Sequence, residues 1–186
     1  MPRDRIVVRR RLQQAALALY QTQGYEQTTT AEIAAAAGVT ERTFFRHFPD
    51  KREVLFGGEA ALIELLVGAV RDAPRELGPW DTLFAAFSSA EPLFIENRDM
   101  FEPLRRIVAG SPALQERHLA KTRAMTLALA AALVERGVPE RRASLAAQMG
   151  ITAVGHAVEA WHDAHAGTPN EHLAQAFRDI RELSGG

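Results

Sequence analysis

Three times in the second half of the chain a glycine is followed two residues later by a proline: Gly110 and Pro112, Gly137 and Pro139, Gly167 and Pro169. Glycine ends a helix by taking the left-handed conformation that side chains resist. Proline, with its fixed φ and missing N–H, fits the first turn of the next helix. In two of the three places a hydroxyl residue, Ser111 or Thr168, stands between them in the capping position. The spacing predicts long helices over 112–136, 139–165 and 169–183. No stretch shows the alternating, β-branched pattern of strands. A chain punctuated in this way is all helix.

The first half follows the same logic. From Arg5 to Gln23 the apolar residues Val8, Leu12, Ala15, Ala16, Leu19 and Tyr20 share one helical face. Gly24 ends that helix and Tyr25 is expected to pack back beneath it. A further helix is expected from Lys51 to about Arg71, with Val54, Leu55, Leu62, Leu65, Leu66 and Val70 buried. Gly57–Gly58 is a soft point near its base, since each glycine costs about 1 kcal/mol against alanine in a helix. A simple packing concession accounts for the pair better than a hinge does. Residues 72–78 read as a loop, and Pro92 and Pro103 are expected to break or kink the next segment into pieces over 79–96 and 98–109.

Between these lies the stretch from Thr28 to Lys51, TTTAEIAAAAGVTERTFFRHFPDK. Thr29 and Glu32 have the spacing at which a hydroxyl and a carboxylate satisfy each other's orphan backbone donors. Gly38 ends the short helix that follows, Thr40 caps a second, and Pro49 stops it. Asp50 then caps a third. Two short helices around a glycine turn form a helix-turn-helix, whose second helix lies in the DNA major groove. Ile33, Ala37, Val39, Phe44 and Phe48 are expected to be its core.

Charge distribution agrees. The net charge is −1, yet residues 1–55 hold nine Lys and Arg against six Asp and Glu, and the rest holds thirteen against seventeen. A basic unit on a mildly acidic body fits one end facing phosphates. The chain has no cysteine, which excludes disulfides and thiolate metal sites and points to a reducing cytoplasm. No secretory segment is evident, and the most apolar stretch, Ala60–Val70, carries Glu64 and is far too short to span a bilayer. No nucleophile motif, phosphate loop or paired metal motif is present, so the chain is not expected to be an enzyme and no cofactor is expected.

The stretch AALALYQTQGYEQTTTAEIAAAAGVTERTFFRHFPDKREVLF resembles the N-terminal signature of the TetR-type, tetracycline-repressor-like transcriptional regulators. The likeness covers about residues 11–56 and rests on coincident features. These are the Gly24–Tyr25 corner, the threonine pair before Ile33–Ala34, the Ala37–Gly38–Val39 turn and the aromatic-x-His-Phe-x-x-Lys ending. Beyond residue 56 it is only architectural. It implies a DNA-binding domain over 1–50 and an effector-binding and dimerisation domain over 51–186. It also implies a homodimer on pseudo-palindromic double-stranded operator DNA, acting as a repressor and released by a small-molecule effector. A non-switching DNA-binding or architectural protein, or a regulator controlled by a protein partner, would use the same head.

The expected DNA-binding residues are Thr29, Thr40, Glu41, Arg42, Thr43, Phe45, Arg46, His47 and Lys51. Thr29 and Thr40 sit at helix N-termini, where phosphate is held. Arg42 and Arg46 lie four apart, on one face, and arginine is the side chain best shaped for guanine or phosphate. Thr43 lies between them, and Glu41 is a minor candidate to accept from a cytosine amine. By resemblance His47 and Lys51 hold the DNA backbone. The family often has tyrosine where this chain has Phe45, which either packs against sugar or a thymine methyl or belongs to the core.

In the body, Phe84, Phe87, Phe101, Leu104, Met125 and Met149 are candidates to line an effector pocket. Ala143, Ala147, Gly150, Val154, Ala157 and Trp161 recur at near-helical spacing, and with Leu173, Phe177 and Ile180 they are expected to form a bundle across a two-fold. His156, Glu159, His162 and His165 carry spacing that metal ligands use. Only one Glu-x-x-His is present, so they read as a solvated helix end.

Overall fold

The computed structural model describes residues 2–164 and 166–184, and His165 of the histidine series lies outside them. The described residues form eleven helices and no strand. In chain order these are α1 (Pro2–Gln23), α2 (Thr30–Ala36), α3 (Glu41–His47), α4 (Glu53–Phe56), α5 (Glu59–Asp72), α6 (Pro79–Ser88), α7 (Glu91–Glu96), α8 (Arg98–Ala109), α9 (Pro112–Glu135), α10 (Glu140–Ala164) and α11 (Pro169–Ser184). The all-helical reading holds. Gly24, Gly38, Gly137 and Gly167 take positive φ where helices end, and Pro112 and Pro169 open α9 and α11.

Two boundaries differ. The helix expected over 51–71 is divided at Gly57–Gly58 into α4 and α5, and Leu65 of its expected buried stripe is exposed. The piece expected over 79–96 is divided at Ser89–Ala90, where Pro92 sits in the first turn of α7 rather than inside a longer helix. Pro103 lies within α8 and does not end it.

Packing divides the chain into two compact units. The first contains the residues up to Gly58 together with Asp99–Leu119; the second contains Glu59–Arg98 and the residues from Ala120 onward. The head therefore packs with more of the chain than residues 1–50. The reason is apolar surface: three short helices cannot bury Leu12, Ile33, Phe44 and Phe48 by themselves, and Leu114 joins that core fully buried. Met100, Leu104, Ile107 and Val108 cover its margin.

The second unit is built on α5, α6, α10, α11 and the later part of α9. Leu66, Val70, Leu83, Phe87, Leu129 and Leu133 are its buried aliphatic and aromatic centre. Phe177 gathers Trp80, Phe84 and Phe87 around it, with ring centroids 4.2, 5.4 and 6.3 Å away. The turn into α11 is tied down by Trp161, whose indole N–H donates to the Gly167 carbonyl at 3.2 Å.

Candidate nucleic-acid interface

The turn between α2 and α3 is locked by its own side chains. Thr29 and Glu32 form the reciprocal capping box: the Thr29 hydroxyl accepts from the Glu32 amide at 3.2 Å, and the Glu32 carboxylate accepts from the Thr29 amide at 2.8 Å. These hydrogen bonds hold the Glu32 carboxyl below its ordinary pKa. The Thr29 hydroxyl also donates to Glu32 at 2.8 Å, so both its proton and its acceptor side are engaged within the cap. Thr40 caps α3 by accepting from the Thr43 amide at 3.2 Å, and the Thr40 and Thr43 hydroxyls lie 3.1 Å apart. Glu41 accepts from the Thr30 hydroxyl at 2.5 Å, which fastens α3 to the start of α2.

With Phe44 and Phe48 buried, α3 can turn only one face outward. Arg42, Phe45 and Arg46, at i, i+3 and i+4, are all exposed on it. Phe45 is 52% exposed and meets Phe44 edge-on, which places it on the outer surface rather than in the core. Two guanidinium groups on either side of an exposed ring suit a groove lined by phosphates, base edges and thymine methyls.

Two expected contacts do different work. The Lys51 ammonium donates to the carbonyls of Tyr25, Glu26 and Thr28 at 2.9, 3.2 and 3.1 Å, and lies 4.4 Å from the Tyr25 ring centroid. An ammonium has three donors, and all three are spent on the loop before α2. Lys51 thereby clamps the loop before α2. The Tyr20 hydroxyl completes the clamp by donating to the Lys51 carbonyl at 2.7 Å. His47 is half-buried, and its Nε2 has no hydrogen-bond partner among the described residues. Burial first, then the charges of Arg46, Arg5 and Arg9, push its pKa below the ordinary value.

The remaining expectations scatter. Phe101 and Leu104 fall in the first unit, where Leu104 covers the head core, while Phe84, Phe87, Met125 and Met149 fall in the second. The six do not form one pocket within either unit, and Phe87 is buried in the core. Grooves of about 530 and 570 Å³ on the first unit have other linings, the larger running past Tyr20, Tyr25, Ile107 and Ser111. The residues of the expected bundle face point into their own chain. Ala143, Ala147, Gly150, Ala157, Trp161, Leu173 and Phe177 are buried inside their own chain, and Val154 and Ile180 pack against the same core. A Cβ at Gly150 would stand 3.1 Å from Phe87 and 3.2 Å from Leu83, so that glycine serves the approach of α6 to α10. Among the described residues no group of three His or acidic side chains is placed to hold a metal ion. Among the described residues no helix is long and apolar enough to cross a membrane.

One contact escaped the motif. Arg9 of α1 reaches the far end of α3, donating to the His47 carbonyl at 3.3 Å with its guanidinium 4.5 Å from the Phe48 ring centroid. Nothing in the local sequence around Arg9 marks this, because its partners lie 38 and 39 positions away.

Comparison with known proteins places the head. Residues 12–56 match the family model described as bacterial regulatory proteins, tetR family. The HTH-type transcriptional regulator TcmR of Streptomyces glaucescens is 42% identical over 72 residues, 39% of this chain and 32% of TcmR. The matched stretch thus spans about a third of that relative's length. Among solved structures, a TetR-family regulator from Syntrophomonas wolfei covers the whole chain and 97% of its own, with a TM-score of 0.66 at 18% identity. FadR of Thermus thermophilus, a repressor of that family solved in complex with lauroyl-CoA, covers 91% of each chain with a TM-score of 0.52 at 24% identity. At these identities the structures speak for the fold.

Proposed function

We propose that this chain, whose residues 12–56 match the family model described as bacterial regulatory proteins, tetR family, is a ligand-responsive transcriptional repressor that binds pseudo-palindromic operator DNA as a homodimer. The observation that carries the reading is the outer face of α3. A self-locked helix-turn-helix turns Arg42, Phe45 and Arg46 outward, where only a partner can engage them. Two such helices related by a two-fold enter successive major grooves about 34–36 Å apart on unbent DNA, so a small change in their separation releases both.

Support for a second copy comes from the outward side of α10. Leu145 is 58% exposed there, and Gly155 is an exposed mid-helix glycine with open space where a Cβ would stand. A glycine that no neighbour within the chain requires is explained by the close approach of another helix. The small-molecule effector belongs to the same proposal, supported by the fold shared with a repressor solved with an acyl-CoA.

Selection from random duplexes tests the whole reading. Recovery of an inverted repeat, with half-sites about one helical turn apart, is the expected outcome. Recovery of asymmetric sequence only, or of none, would sink it. Screening small molecules for ones that both raise the melting temperature and release the selected duplex then tests the effector.

A further inference from the structure

We propose that Arg9 is a positioning residue for the DNA-reading helix, and that Gly57 makes room for it and for the Phe48 ring on which it stacks. The proposal rests on the DNA-binding reading of α3. Its geometry is independent of that reading. The Arg9 guanidinium lies over the Phe48 ring, 4.5 Å from the centroid, and donates to the carbonyl of His47, the last residue of α3. That carbonyl is among the unsatisfied acceptors at a helix C-terminus, where a cation is also favoured by the helix dipole. A planar guanidinium can stack and donate at once, which an ammonium cannot.

Gly57 supplies the space. A Cβ there would collide with the Arg9 Nη2 atom, lie 2.7 Å from the Phe48 ring and 3.0 Å from the Glu53 carbonyl. No side chain fits while Arg9 holds its place. Gln13, one turn further along α1, donates to the Gly57 carbonyl at 3.4 Å and fixes the same corner. Burial, then the charge of Arg5, lowers the pKa of the Arg9 guanidinium, with Glu53 opposing them, and Glu53 is itself paired with Arg117 of α9. The soft point read in the sequence at Gly57–Gly58 is thus a seat. Arg9, Phe48 and Gly57 together set the direction in which the last turn of α3, with Arg46, faces the groove.

The test uses the full chain, the duplex recovered by selection, and a scrambled duplex of the same length. Arg9→Met removes the donor and charge but keeps the stem; Gly57→Ala keeps the charge and displaces the guanidinium. Each is expected to weaken binding to the selected duplex about tenfold, the worth of one hydrogen bond involving a charged group. Arg9→Lys falls between them and the native chain. For Gly57→Ala, scrambled-duplex binding and the slope of log affinity against log salt stay native. Circular dichroism and melting curves accompany every variant, and if Gly57→Ala does not fold, the Arg9→Met and Arg9→Lys pair decides through the same salt slope. A slope reduced by about one in Arg9→Met would make Arg9 a phosphate contact and overturn the proposal. So would native affinity in Arg9→Met or in folded Gly57→Ala, or equal losses on both duplexes with a lowered melting point. A native chain that selects no duplex would overturn the DNA reading and this proposal with it.

Discussion

At the scale of single residues, cations that look alike in the sequence separate into opposite roles. Arg46 is exposed on the outer face of α3. Arg46→Ala is expected to weaken operator binding by about 1–3 kcal/mol and to relax base preference, read by titrating matched and mismatched duplexes. Lys51 is committed to three carbonyls. Lys51→Met should lower unfolding stability by about 1–3 kcal/mol, because those acceptors lose a charged donor, while the salt slope of DNA binding stays native. A native melting point with a slope reduced by about one would return Lys51 to the phosphates. His47 adds a pH dependence. Its folded pKa lies below the ordinary value of 6.5, so the unfolded chain takes up the proton first as pH falls. The stability it contributes is complete above that ordinary value and is lost progressively below it, down through the depressed folded value. Denaturant unfolding at pH 7.5 and about pH 5.5 should show a smaller loss for His47→Gln than for the native chain; equal losses would refute the assignment.

At the scale of elements, α10 carries a periodic stripe that reads correctly as a contact face. Its small residues do admit a close neighbour, but the neighbour is α6 of the same chain. Gly150→Val forces side chains into Phe87 and Leu83, both essentially inaccessible. Overpacking of this kind costs about 1–3 kcal/mol. Thermal melting should register that loss at an unchanged oligomeric state, whereas dissociation at an unchanged melting point would place the stripe between copies after all. The capping box of α2 makes the opposite case. Thr29 and Glu32 are three residues apart, so their pairing was visible in the sequence and is found as read.

At the scale of the whole molecule, the proposed partner is a second copy of the chain. The outward side of α10, with Leu145, Thr152 and Gly155 exposed, is the proposed two-fold face. Sedimentation is expected to give the mass of two chains, and Gly155→Trp to shift it toward one while the helical circular dichroism signal persists. A dimer indifferent to that substitution would move the two-fold elsewhere. Loss of operator binding should accompany dissociation, because one head reaches only one half-site.

What the sequence by itself determined is everything set by neighbours a few residues apart. Helix ends follow from glycine and proline through backbone sterics, caps follow from Thr29 and Thr40, and the outward pair of Arg42 and Arg46 follows from the 3.6-residue period. The tertiary structure alone decided which of two chemically possible partners each long side chain meets. Lys51 found carbonyls 23 to 26 positions away, Arg9 found the end of α3 across 38, and the stripe on α10 found α6. Periodicity tells a residue which way to face; only the packed chain says what is standing there.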